Sequence, residues 1–314
     1  MIKNKIFLIG LVCLMAFSCS SNEDKKGRFL LKGNNELKEG NYKGAITYYD
    51  EALAIDPGFK DAFYNRGMAK HQQAKYVEAI ADYSQAINID NDYVQALQQR
   101  AIAHLDFGEN YKALEDTKTL LKINKEDGQA YFIKGLVHAT MKSYEEALVA
   151  FKKAIAIDPE NAELYINSAT VHYYMGQLDA ANLDLEKAEN LGPKESKLHN
   201  LRSLIHFENG AYSKALESVE KAILLDKDQS YYYNNRGLYK LYLDRPEDAL
   251  EDINLSLKQN NKNYYAIRNK GIYYFKKGDM ALAEKFLKEA YQADPEMPLL
   301  SEYLPQLKGS SDTN

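Results

Sequence analysis

The chain has 314 residues, with 40 Lys and Arg against 45 Asp and Glu, a formal net charge of -5. That balance excludes the basic footprint of a nucleic-acid binder, and two cysteines exclude a disulfide-stapled scaffold. Length alone suggests two domains, at about 150 residues each. The N-terminus reads as a targeting segment, because Lys3 and Lys5 precede an apolar run from Ile6 to Phe17. That run has the charge and length of an export signal and is too short to span a bilayer.

The run ends in Ala16-Phe17-Ser18-Cys19, followed by Ser20-Ser21-Asn22-Glu23-Asp24. This resembles a bacterial lipoprotein cleavage box of the looser Bacteroidota form, with Ala16 where leucine is usual. The resemblance implies removal of residues 1–18 and acylation of Cys19, the attachment residue for palmitate and the membrane contact of the protein. Several alkyl chains on one residue give stable anchoring. Cys13 lies in the removed segment, so no disulfide is available to the mature protein. Residues 19–25 are expected to form a short tether, and the absence of Asp after Cys19 implies an outer-membrane lipoprotein, on either its periplasmic or its surface face.

From residue 26 onward the sequence repeats. Ala45, Ala79, Ala113, Ala147, Ala181, Ala215, Ala249 and Ala283 are spaced by 34 residues. Twelve residues earlier in each unit stand Gly33, Gly67, Ala101, Gly135, Ala169, Ser203, Gly237 and Gly271, all small. Two helices must nearly touch at such positions. Within a unit, Tyr131, Gly135 and His138, then Ala147, Phe151 and Ala154, recur at helical spacing on either side of a polar break. Each unit is therefore a helical hairpin whose apolar face only stacking neighbours can bury, which makes one elongated array the expected architecture despite the length.

The pattern resembles the tetratricopeptide repeat, as in Gly135, Tyr144, Ala147, Phe151, Ala154 and Pro159, or Tyr165, Ala169, Gly176, Ala181, Ala188 and Pro193. A period of 34 residues is the one associated with that family. The resemblance implies an all-α, right-handed superhelical solenoid of eight units: 26–59, 60–93, 94–127, 128–161, 162–195, 196–229, 230–263 and 264–297. Residues 298–308, with Leu299, Leu300, Tyr303, Leu304 and Leu307, suit a short amphipathic cap. Residues 309–314 are expected to be a disordered tail.

Signatures of chemistry are thin. His104, His138, His172 and His206 also keep the 34-residue period, but a whole hairpin separates equivalent residues, too far to share one zinc. With no phosphate loop, His-Glu-x-x-His run or GxSxG motif, the protein reads as non-catalytic and free of cofactor or metal. Function then falls to the concave wall that tetratricopeptide proteins line with the first helix of each unit. The family register places Asn65, Asn167, Asn235 and Asn269 there, with Tyr173, Phe207, Tyr231, Tyr242, Tyr265 and Phe275 toward the C-terminal half. Asparagine amides offer both donor and acceptor to an extended peptide. The charged clamp that grips a chaperone C-terminus is missing: Asn34 and Asn65 fit it, but Leu30, Gln95 and Gln99 stand where its cations belong. The expected function is a lipid-anchored scaffold that binds an extended peptide or partner protein in envelope assembly or secretion. Aromatic residues beside amides leave glycan or peptidoglycan binding open as the alternative, and neither partner identity nor oligomeric state is legible.

Overall fold

The computed structural model describes residues 22–192 and 194–310. The expected leader, Cys19, Pro193 and residues 311–314 of the expected tail lie outside the described residues. Seventeen α-helices and no strand occur among the described residues. The first helices of the hairpins are α1 (Asn22–Lys38), α3 (Lys60–Gln72), α5 (Val94–Asp106), α7 (Gly128–Thr140), α9 (Ala162–Tyr174), α11 (Ser196–Glu208), α13 (Ser230–Tyr242) and α15 (Tyr264–Lys276). The second helices are α2 (Tyr42–Ile55), α4 (Tyr76–Ile89), α6 (Asn110–Ile123), α8 (Tyr144–Ile157), α10 (Leu178–Asn190), α12 (Tyr212–Leu225), α14 (Pro246–Gln259) and α16 (Met280–Ala293). A last helix, α17 (Leu300–Ser310), follows. By their contacts the helices group into two compact units, Met1–Asp158 and Pro159–Asn314.

Every alanine of the 34-residue ladder is fully buried. The small-residue ladder explains how closely the two helices of a hairpin approach. A methyl group built on Gly67 would meet Cε1 of Tyr83 at 2.7 Å, and one on Gly135 would meet Cε1 of Phe151 at 2.5 Å. The facing residue lies sixteen positions on wherever the ladder residue is glycine. That facing residue is aromatic at Tyr49, Tyr83 and Phe151 and aliphatic at Ile253 and Leu287.

The hairpin turn is equally regular. Gly40, Ala74, Gly108, Lys142, Gly176, Gly210, Asp244 and Gly278 all take positive φ. The amide of the next residue closes onto the carbonyl five residues back, as in Ser143 N to His138 O (2.9 Å), Gln177 N to His172 O (2.9 Å) and Ala211 N to His206 O (2.8 Å). This is the Schellman closure, which satisfies carbonyls left open at a helix end. The histidine ladder therefore sits at this closure. His104 and His172 add bonds of 2.7 Å to the side chains of Glu109 and Gln177 at the start of the partner helix.

Two boundaries differ from expectation. Helix α1 begins at Asn22, inside the expected tether 19–25, because Glu23 and Asp24 complement the positive end of the helix and Lys26 pairs with Glu23 and Asp56. Helix α17 continues to Ser310, into the expected tail, and carries Pro305 inside it. Its Tyr303 and Leu307, with Leu300 and Met297, cover the end of the apolar core of the second unit.

Replacing Gly135 by alanine is expected to cost about 1–3 kcal/mol by overpacking against Phe151. Replacing Lys142 by glycine, which relieves a left-handed lysine, is expected to gain about 1 kcal/mol. Denaturant midpoints of the two variants check both signs.

Candidate functional site

The second unit contains an open cavity of about 810 Å³ walled by the first helices α9, α11, α13 and α15 and closed at one end by Pro298 and Leu299. Successive first helices lie side by side there, so residues 35 apart in sequence touch. Five of the sequence-predicted residues line it: Tyr173, Phe207, Tyr231, Asn235 and Tyr265. Tyr231 and Tyr265 are partly exposed, at 39% and 45%. Burial raises the phenols of Tyr173, Tyr231 and Tyr239 above the usual tyrosine range, so they stay protonated.

The other predicted residues stand elsewhere. Tyr242 packs edge-on against Phe207, with ring centres 5.0 Å apart, and accepts a 3.4 Å hydrogen bond from Tyr303. Phe275 packs against the Tyr303 ring at 5.2 Å. Both belong to the packing under α17 rather than to the cavity wall. Asn167 donates to the Glu163 carbonyl of its own helix at 2.9 Å. Asn65, in the first unit, donates to Asn34 at 3.0 Å, and Tyr49 donates to the same Asn34 oxygen at 2.9 Å. Asn269 is fully buried and presents nothing to a ligand.

Asn269 instead belongs to a series of hydrogen bonds whose direction one residue fixes. Arg268 can only donate, and its Nε and Nη2 reach Asn269 Oδ1 at 3.0 and 2.8 Å. The amide nitrogen of Asn269 must then face Asn234, donating to its Oδ1 at 2.5 Å and to its carbonyl at 3.2 Å. Asn234 donates to Asn235 Oδ1 at 3.4 Å, and Asn235 donates to Asn200 Oδ1 at 2.9 Å. The relay therefore runs from Arg268 to Asn200, which lines the cavity.

Arg268 is 3% exposed, stacked 5.2 Å from the Tyr265 ring centre, and donates through Nη1 to the Pro298 carbonyl at 3.0 Å. Burial pulls it from the usual arginine range down to about 10, still charged at neutral pH. Arg236 contrasts with it: burial pulls that group down too, but the bidentate bond to Asp252 (2.9 and 2.6 Å) more than offsets it and leaves it raised. The same pairing, sixteen residues apart, holds Arg66 on Asp82 and Arg100 on Asp116. Sequence reading missed Asn200, Asn234 and Arg268, although they too keep the 34-residue spacing, one position before the asparagine ladder.

Four tetratricopeptide repeat models match between residues 33 and 298. One, described as a TPR repeat, covers 33–74, and three described as tetratricopeptide repeats cover 139–205, 99–162 with 234–298, and 60–93 with 196–229. The chain belongs to the tetratricopeptide repeat family, whose members bind peptides or partner proteins and are generally non-catalytic. No curated protein matches it. Similar solved structures include the APC/C hetero-tetramer Cut9-Hcn1, with 16% identity and a TM-score of 0.70 over 89% of this chain and 55% of that one. Yeast Tom70 has 16% identity and a TM-score of 0.60 over 94% of this chain and 66% of that one. Pseudomonas aeruginosa pilF has 18% identity and a TM-score of 0.57 over 69% of this chain and 98% of that one. These likenesses concern the fold.

Asn269→Ala should cost about 1–3 kcal/mol, because it strands the donors of Arg268 and the Asn234 oxygen in the interior. Asn167→Ala should stay within about 0.5 kcal/mol, as a surface change on its own helix. Thermal unfolding of both variants separates the interior asparagine from the surface one.

Proposed function

We propose that the protein is a lipid-anchored, non-catalytic scaffold of the bacterial envelope that binds an extended peptide segment of a partner protein, in envelope assembly or secretion. The observation that carries this reading is the cavity of about 810 Å³ across four successive first helices, with partly exposed Tyr231 and Tyr265 on its wall. Its volume falls in the range of ligand sites, and its lining combines apolar rings with a few fixed polar groups. Tyrosine is among the side chains enriched at the residues that carry most interface energy. Among the described residues no helix is long and apolar enough to cross a membrane. Attachment in this reading rests on Cys19.

The test is affinity purification of the full-length protein from crosslinked, detergent-solubilised envelope, with mass spectrometry of what co-purifies. The expected result is a stoichiometric protein that is lost when Tyr231 and Tyr265 are both replaced by alanine. A partner retained by that double variant would contradict the cavity as the binding surface. Recovery of cell-wall glycan in place of protein would favour the glycan alternative instead.

A further inference from the structure

The polarity of the hydrogen-bond relay carries a prediction about ligand chemistry. Asparagine can face either way, but here every amide is set by Arg268, which has donors only. Oxygens along the relay are consumed by the preceding donor, and nitrogens are left pointing onward. Its terminal residue, Asn200, lines the cavity, and the Asn200 amide nitrogen donates to no described residue. At the other end the Arg268 guanidinium also lines the cavity, with Nε, Nη1 and Nη2 each bonded once and the second protons of Nη1 and Nη2 uncommitted among the described residues. The two end residues of the relay thus line the same cavity, each with donor capacity left over.

Charge points the same way. Arg66, Arg100 and Arg236 each meet a buried aspartate sixteen residues on, so their charges are neutralised inside the hairpin. Arg268 has only a neutral amide, a neutral carbonyl and the Tyr265 face, and makes no ion pair with any described residue. A cation this deeply buried without an acid is costly, and its depressed pKa of about 10 reflects that cost. Among the described lining residues the one carboxylate is Glu208, exposed at the end of α11, which accepts from the Tyr173 hydroxyl at 3.4 Å rather than from Arg268.

Resting on the peptide-binding reading above, we propose that this cavity selects a peptide carboxylate, received by the Arg268 guanidinium, with the Asn200 amide as a separate donor two helices away for the rest of the peptide. The flanking aromatic walls, Tyr173, Phe207, Tyr231 and Tyr265, accept the apolar neighbours of that carboxylate. An Asp or Glu side group and a free peptide C-terminus supply the same chemistry. A planar guanidinium is suited to either, because it presents parallel donors to a carboxylate.

The test uses the full-length protein in detergent and an arrayed peptide library in which each acidic peptide has a twin with Asn or Gln in place of Asp or Glu, and each free C-terminus an amidated twin. The expected result is that bound peptides lose about tenfold in affinity when their carboxylate becomes a carboxamide, the size of one charge-assisted bond. The side-group and terminal twins report which carboxylate is used. Arg268→Gln should remove the discrimination. Because that residue is buried, Glu208→Gln on the surface gives an independent arm: it removes the competing charge and should tighten acidic peptides about threefold relative to their carboxamide twins. Peptides that bind equally well with and without the carboxylate would overturn this inference and leave the peptide-binding reading standing. A library from which nothing binds would overturn both.

Discussion

The close approach of two helices at one small residue per hairpin is the constraint on which the rest depends. Gly135 under Phe151 and Gly67 under Tyr83 leave no room for a methyl group, which draws the two helices of a hairpin together and buries the alanine ladder completely. That contact fixes where the first helix must end, and a left-handed residue with a Schellman closure turns the backbone there in every unit. With turn and contact repeating every 34 residues, successive first helices of a unit are brought into register. Only then can Asn235 reach Asn200, and Asn269 reach Asn234, each 35 residues away.

The same register sorts the charges. Of the arginines one residue before the small ladder, Arg66, Arg100 and Arg236 each find an aspartate sixteen residues on in their own hairpin, while Arg202, with Ser218 at that place, pairs with Glu189 of the preceding hairpin. Arg268 stands two residues earlier on its helix than those arginines would, about 200° around the axis, and so faces the neighbouring first helix and the Pro298 carbonyl. A change of two positions along one helix separates a structural ion pair from a cation without an acid. The contrast arises within one sequence and one fold.

Much of this was legible in the sequence. The ladders of alanine and small residues announce helical hairpins because their periods have one geometric solution, and the aromatic residues at Tyr173, Phe207, Tyr231 and Tyr265 fall on the cavity wall. Asn269 was less legible, since the period says which positions are equivalent but not how deep each lies. Here the segment at Pro298 closes over the last first helix and buries Asn269 completely. Tyr242 and Phe275 are drawn away by Tyr303 of the same closing segment, whose contacts lie 61 and 28 residues along the sequence. Arg268 and Asn200 were overlooked because their ladder changes residue type, from asparagine to arginine, while keeping its period. The start of α1 was missed for a local reason, as the acidic pair after Asn22 reads equally well as tether and as the first turn of a helix.

The central claim is that the partner is held on the first-helix wall of the second unit. Site-specific photocrosslinking in intact cells tests it most directly, with benzoylphenylalanine placed at Tyr265 on α15 or, as a control, at the equally exposed Tyr291 on α16. The account predicts a discrete protein adduct from position 265 and none from 291. Adducts from 291 with none from 265 would place the partner on the second helices and contradict it.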